Sequence, residues 1–319
     1  MRHLPNISIK QFDIKSTKVK SRTKNMLMQL EDECFVVELQ MEWEDKEWLL
    51  ERTASCFLAY DKTKIIGEIY AVSEYEEEDI KTDDDQHFFE IIDRCVQEKG
   101  AYIYSIGVLP DYEGKDIAKR LLWTTLKDLK DKGFKKSFAH AKKGASEHLF
   151  RFFGADVLGY RENWYDTGFP YAIIEIDLDE LTLINFQPYI QENNYDCGLA
   201  CIEAILDYKE VKYDRKKIIE ASGLDPGEGT SPNGIIKGLK AGGVSPIIVN
   251  NIGGLRAPTI MLVMEPAYYE GHYLVLVGFG KNLVFVQDVD NGRIGRMSLE
   301  GLGRMWWNDT VKTSWGVTV

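Results

Sequence analysis

Cys197 opens an apolar run of helical spacing, Ala200, Ile202, Ala204, Ile205 and Leu206, and stands between Asp196 and Gly198. A thiol attacks as its thiolate, and a free cysteine with a pKa of about 8.5 holds little of that form at neutral pH. A helix N-terminus, a neighbouring imidazolium and donors aimed at a developing oxyanion are the devices that change this. The helix expected from Cys197 supplies the first. The base has to be a histidine, and of the five in the chain only His272 lies beyond residue 148. His272 heads the apolar run "HYLVLVGF", and Asp288 ends another, "LVFVQD". Antiparallel neighbours with residues 272 and 288 at matching ends would set a carboxylate beside the ring. Gln191 precedes Cys197 by six residues, and its side-chain amide can face an oxyanion together with the Cys197 N–H. Gly198 would let a substrate carbonyl approach that N–H. Spacing alone equally allows Cys197 to be a small buried hydrophobe that starts a helix. Cys201 shares its helix face and is expected in the core, as are Cys34, Cys56 and Cys95.

A second arrangement lies earlier in the chain. "AYIYSIGVLP", 101–110, reads as a strand stopped by Pro110. "DYEGKDIAKRLLWTTLKDLKDKG", 111–133, runs from a glycine-bearing turn into a helix with Ile117, Leu121, Leu122, Thr125, Leu126 and Leu129 on one side. Gly133 is its expected C-terminal stop. A strand, a glycine turn and a helix N-terminus together hold phosphate, through backbone N–H groups and the positive end of the helix dipole. Here the turn is Glu113, Gly114, Lys115, Asp116, Ile117 and Ala118. Many ordinary connections of this kind also carry a glycine, so the spacing leaves both readings open.

The remaining elements must place these groups. Residues 7–14 alternate like a strand, and 24–40 have helical apolar spacing. Residues 55–73 read as a hairpin about "DKTK". The acid run "EYEEEDIKTDDD", 74–85, reads as a solvated loop. A helix over "QHFFEIIDRCVQEK", a strand at "KKSFAHA", a short helix at "ASEHLFRFFG" and a strand at "YAIIEIDL", 171–178, follow. The stretch "DELTLINFQPY", 179–189, is the expected boundary between domains 1–180 and 181–319. Past it, one helix begins at Cys197, a Gly/Pro-rich middle follows, and three strand-like runs close the chain. The fold class expected is α+β, a mixed α/β half followed by a helix-first, strand-last half.

Bulk properties exclude several function classes. The chain has 319 residues, a length that suits two domains. A net charge of −12 disfavours a broad nucleic-acid face or docking to anionic lipid, so neither a nucleic acid nor a membrane is an expected partner. Five cysteines without a CxxC pair suggest reduced thiols and a cytoplasmic setting, with no metal site. The N-terminus lacks the apolar segment of a signal peptide, and no run reaches the ~18 apolar residues of a membrane span. Oligomeric state is not legible.

"YSIGVLPDYEGKDIAKRLL" resembles the acyl-CoA-binding motif of the GNAT acyltransferases, and the element order over residues 5–178 is similar to theirs. The resemblance implies a GNAT-like mixed sheet with flanking helices. It implies acetyl-CoA or another acyl-CoA held by Val108 and residues 113–118 (Glu113, Gly114, Lys115, Asp116, Ile117 and Ala118), with a primary amine as acceptor. The sequence departs from the motif in having Asp116 at a position usually small. Phe150 stands where a tyrosine commonly protonates the leaving thiolate, and His148 and Tyr160 are the nearby substitutes. "QENNYDCGLACIEAIL", "GHYLVLVGF" and "VQDVDNG" resemble, in order, the three blocks of the papain-like peptidases that trim bacteriocin leaders. That resemblance implies Cys197 as nucleophile, His272 as base and acid, Asp288 as its orienter and Gln191 as oxyanion donor, acting on a peptide or protein. Val289 stands where that family often has proline, and no transporter segment accompanies the blocks. The expected protein is thus a cysteine peptidase fused to an N-acyltransferase. The alternatives are an acyltransferase with a non-catalytic peptide-binding half, and a pair of recognition modules without catalysis.

Overall fold

A computed structural model describes residues 7–13, 19–74, 82–265, 270–306 and 314–319 of the chain. The polypeptide forms two compact units, Pro5–Glu180 and a second that begins at Leu181 and runs to Val319.

The first unit holds strands β1 (Ile7–Gln11), β2 (Thr53–Asp61), β3 (Lys64–Val72), β4 (Gly100–Val108), β5 (Lys136–Lys142), β6 (Asp156–Arg161) and β7 (Tyr171–Asp177). Its helices are α1 (Ser21–Cys34), α2 (Trp43–Leu50), α3 (Asp83–Gln97), α4 (Ile117–Asp131) and α5 (Ala145–Phe152). The sheet order is β1-β2-β3-β4-β5-β7-β6. Among the described strands only β4 and β5 run parallel, and they pair over just three positions, from Gly100–Lys136 to Tyr102–Phe138. Beyond Tyr102, β4 stays with β3 while β5 continues against β7, so the two strands diverge. The α4 stripe read from the sequence is buried at every position. Part of the expected acidic loop is helical instead. Thr82 and Asp85 form a reciprocal capping box, and Asp83–Asp85 make the first turn of α3, where carboxylates suit the helix dipole. Residues 75–81 of that run lie outside the described residues. Helix α2 carries Lys46, fully buried, its Nζ 2.6 Å from Glu31 Oε2 and 2.7 Å from Glu68 Oε1.

The second unit contains β8 (Thr182–Leu183), α6 (Cys197–Tyr208), α7 (Arg215–Ser222), α8 (Pro232–Ala241), β9 (Ile247–Val249) and β10 (Thr259–Glu265). They are followed by β11 (Glu270–Gly280), β12 (Leu283–Asp288), β13 (Arg293–Ser298), α9 (Leu299–Met305) and β14 (Gly316–Thr318). The sheet order is β13-β12-β11-β10-β14-β9, with β8 against β11. Every residue of α6 from Gly198 to Leu206 is buried, so this helix has no solvent face over that length. The Gly/Pro-rich middle is not irregular throughout. Ser231 accepts from the Gly234 N–H, Pro232 fills the first helical position, and α8 follows. Gly234 is there for closeness, because a Cβ on it would lie 2.2 Å from the Ser222 carbonyl oxygen. On one side of the sheet Leu274, Leu276, Val284 and Val286 pack with Leu302 of α9 and with Trp306, itself 1 % exposed. Trp307, its neighbour in sequence, lies outside the described residues.

Candidate active sites

In the second unit Cys197 is the first residue of α6 and is half-buried. Asp196, just before it, does not cap the helix with its side chain. Its carboxylate instead accepts from the Asn193 backbone N–H at 3.0 Å and from Asn193 Nδ2 at 3.1 Å, which pins the turn leading into the helix. The first-turn amides therefore lack the usual side-chain acceptor. Gly198 serves packing rather than substrate approach. A Cβ there would come within 2.8 Å of Thr230 Cβ and 2.9 Å of Ile235 Cδ1.

Asp288 stands opposite Leu274 across the β11–β12 pair, which makes it the diagonal neighbour of His272 on the same side of the pleat. His272 Nε2 and Asp288 Oδ1 are 2.8 Å apart. Asp288 also accepts from the Asp290 N–H and from Asn291 Nδ2, each at 3.0 Å. Its carboxyl is held below the usual carboxylate range: burial works against this, and the bonds from His272, Asp290 and Asn291 outweigh it. With Nε2 engaged by Asp288, Nδ1 is the ring nitrogen left for Cys197, whose side chain lies near enough to favour the charged imidazole. Burial disfavours the imidazolium, but Asp288 and Cys197 together push the ring's pKa up to about 10. A ring charged at neutral pH beside a sulfur is the ion-pair arrangement that a thiolate nucleophile requires.

Gln191 is tied to this same segment. Its N–H donates to the Val289 carbonyl at 2.7 Å, and its Nε2 donates to Asp290 Oδ1 at 3.2 Å. The carboxylate fixes which end of the amide is nitrogen, and a second N–H remains on that nitrogen. Tyr273 was not picked out by sequence. Its hydroxyl is buried without a partner among the described residues, and its pKa is raised by burial and by the charge of Cys197. Adjacency to His272 was the only signal. Cys201 is fully buried, and burial pushes its thiol up. Cys56 and Cys95 are in the core as expected.

In the first unit the turn before α4 has the expected form. Gly114 is left-handed with φ +70° and nothing within 4 Å of a Cβ on it. Asp116 precedes the helix at φ 59°, also left-handed, and its side chain does not cap the first turn. The carboxylate turns back to Lys119, with Oδ1 3.1 Å from Nζ, so its charge is balanced locally. Lys115 Nζ donates to the Asp111 carbonyl at 2.8 Å. Ile117 is buried and Val108 ends β4. The open left-handed glycine and the helix end without a side-chain cap are what an anionic phosphate group needs.

A cavity of about 460 Å³ opens where β4 and β5 part, lined by Tyr102–Ile106 of β4 and His140–Lys142 of β5. Glu31, Tyr165 and Phe150 also border it. Phe150 is a cavity wall with no proton to give. Neither His148 nor Tyr160 lines this space, and the Tyr160 hydroxyl is committed to Glu147 Oε1 at 3.0 Å. Cys34 is not core: it is half-buried and borders the cavity, its pKa pushed up to about 12 by burial and by Glu68.

The folds and side-chain arrangements define an acyltransferase-type unit followed by a thiol-hydrolase-type unit. Comparison with known families agrees: residues 24–155 match the Acetyltransferase (GNAT) family and residues 185–312 match the Peptidase C39 family. The chain therefore carries a GNAT acetyltransferase domain and a C39 cysteine peptidase domain in that order, and both point to enzymatic activity. Among solved structures it is similar to the ribosomal-protein-S18-alanine N-acetyltransferase from Escherichia coli (13 % identity, 54 % of this chain, 94 % of that one, TM-score 0.39). It is also similar to an N-acetyltransferase from Staphylococcus aureus Mu50 (17 %, 54 %, 99 %, TM-score 0.40). A third is yncA, a putative acetyltransferase from Salmonella typhimurium with its cofactor acetyl-CoA (13 %, 55 %, 95 %, TM-score 0.40). The comparison with curated proteins finds no match. Among the described residues no helix is long and apolar enough to cross a membrane.

Proposed function

We propose that the chain cuts a peptide or amide bond through Cys197 and transfers an acyl group from acetyl-CoA, or another acyl-CoA, to a primary amine. The observation that carries the first half is the His272 ring between Cys197 and Asp288. In this mechanism the Cys197 sulfur attacks the substrate carbonyl carbon. The oxyanion is met by the Cys197 N–H and by the free N–H of Gln191 Nε2. His272 gives its proton to the departing amine, then takes one from the water that hydrolyses the thioester. Asp288 keeps the ring oriented and stabilises its charge.

For the second half, the amides of residues 113–118 and the end of β4 at Val108 would hold the cofactor's phosphates and arm. A bound acyl-CoA supplies the thioester. The amine enters the cavity between β4 and β5. Cutting exposes a new amine, so the two units suit successive steps on one peptide. The setting we assign is cytoplasmic, with a peptide or protein as the partner and neither nucleic acid nor membrane required.

The test is incubation with a peptide mixture and acetyl-CoA, read by mass spectrometry. The expected result is cleaved products that carry an added acetyl group, with cleavage lost in Cys197→Ala and acetylation of pre-cut peptides retained. Cleavage that survives Cys197→Ala refutes the peptidase assignment, and acceptance of unrelated substrates by the two units refutes the coupling.

A further inference from the structure

We propose that Tyr102 is the acid that protonates the leaving sulfur in the acyl-transfer cavity, with His140 as the residue that positions it. The inference rests on the acyltransferase reading above. Any thioester aminolysis expels a thiolate, which leaves more readily when a positioned donor supplies a proton. Phe150 has none to give, so the donor has to be another group on the cavity wall.

Of the phenols bordering the cavity, Tyr165 donates to Asp85 Oδ1 at 2.9 Å, Tyr104 stacks on Tyr70 with ring centroids 6.0 Å apart, and Tyr171 lies at the start of β7. Serine hydroxyls are far weaker acids than a phenol. Tyr102 is different. It sits at the last paired position before β4 and β5 diverge, and its Oη lies 2.8 Å from His140 Nδ1. His140 is stacked on Trp164, with ring centroids 4.0 Å apart, and its Nε2 is buried without a partner among the described residues.

The direction of that hydrogen bond decides what Tyr102 can do. A buried N–H without an acceptor costs more than a buried lone pair without a donor, and native structures contain fewer of the former. The favoured tautomer therefore has its proton on Nδ1 and the bare lone pair on Nε2. Nδ1–H then donates to Tyr102 Oη, and the Tyr102 O–H is left to point into the cavity. Burial, with His87 and Arg161 nearby, pushes the His140 pKa down to about 3, so the ring stays neutral and keeps this role throughout the physiological range. Burial likewise raises the Tyr102 pKa, which keeps its hydroxyl protonated.

The step balances as follows. The amine nitrogen bonds to the thioester carbon, and the C–S bond breaks with its electron pair on sulfur. Sulfur takes the Tyr102 proton, so the thiol departs neutral. The tyrosinate, held by His140 Nδ1–H, recovers a proton from the newly bonded nitrogen.

Two measurements test this. Tyr102→Phe keeps the ring and removes only the hydroxyl. Its kcat with acetyl-CoA should fall about 100-fold or more. With an acetyl aryl thioester, whose thiol leaves without help, the loss should be under about 10-fold. Tyr160→Phe, away from the cavity, should show neither loss. Independently of turnover, 1H–15N correlation spectra of the free protein should find the His140 proton on Nδ1. Equal losses for both donors, an unaltered kcat, or a proton on Nε2 overturn the assignment of Tyr102 alone. A wild-type chain that acetylates no amine overturns the acyltransferase reading and this assignment together.

Discussion

Replacing Asp288 by asparagine removes one charge while leaving an oxygen that can accept from His272 Nε2. At 2.8 Å a unit charge pair is worth about 6 kcal/mol at an effective dielectric of about 20, and about 1.5 kcal/mol in bulk water. The half-buried pair lies between these limits, and a neighbouring opposite charge commonly moves a pKa by about 1–3 units. His272 should therefore fall from about 10 to the range ~7–9 in Asp288→Asn. The assay is the pH dependence of Cys197 alkylation by iodoacetamide, followed by peptide mapping. The lower inflection marks formation of the ion pair, and the upper one marks loss of the imidazolium proton. The upper inflection should move down by about 1–3 units in Asp288→Asn. Asp288→Ala should move it at least as far and also slow alkylation, because the ring loses its anchor. An upper inflection that stays in place in Asp288→Asn refutes the claim that this carboxylate controls the charge on the ring. The same shift bears on stability. The folded pKa of His272 lies above its ordinary 6.5, so the contribution is complete below that pH and is lost as pH rises towards about 10.

Other expected outcomes follow from packing and charge. Gly198→Ala should cost about 1–3 kcal/mol in urea unfolding although alanine favours helix, because the new Cβ meets Thr230 and Ile235. Lys46→Met should cost about 3–5 kcal/mol, since it strands Glu31 and Glu68 in the core. Burial raises the Glu68 pKa despite Lys46, and stability tied to that group falls as pH rises above its ordinary 4.5. Removing the lysine should widen that window, so the Lys46→Met deficit should be larger at pH 8 than at pH 5 in denaturant titrations. Asp116→Gly should bind acetyl-CoA more tightly in calorimetry, because it removes a carboxylate beside the helix end and suits the left-handed backbone at φ 59°.

The candidate residues of the second unit were picked out because they sit at element ends. Cys197, His272 and Asp288 each stand where an apolar run starts or stops, and polar groups there need a partner. The helix inside the Gly/Pro-rich middle was not legible for a physical reason. Glycine signals turns by its backbone freedom, but at Gly234, as at Gly198 in α6, it is present because a neighbour occupies the space of a side chain. Sequence could not separate those uses. The Asp83–Asp85 cluster looked like solvated loop because its role depends on Thr82, the uncharged residue just before it within the run. In the first unit the motif residues were readable one by one, whereas the cavity was not. It exists because two strands stop pairing after Tyr102, and no local pattern encodes where a parallel pair lets go. The Tyr102–His140 contact joins residues 38 positions apart for the same reason.

Helix α6 is enclosed on all sides from Gly198 to Leu206. A rod sheathed in this way cannot slide or swivel without disrupting the packing around it, so the sulfur at its tip is a fixed post. Adjustment to different substrates then falls to the connecting segments around that post, and changes in cleavage preference should be sought there rather than in the helix.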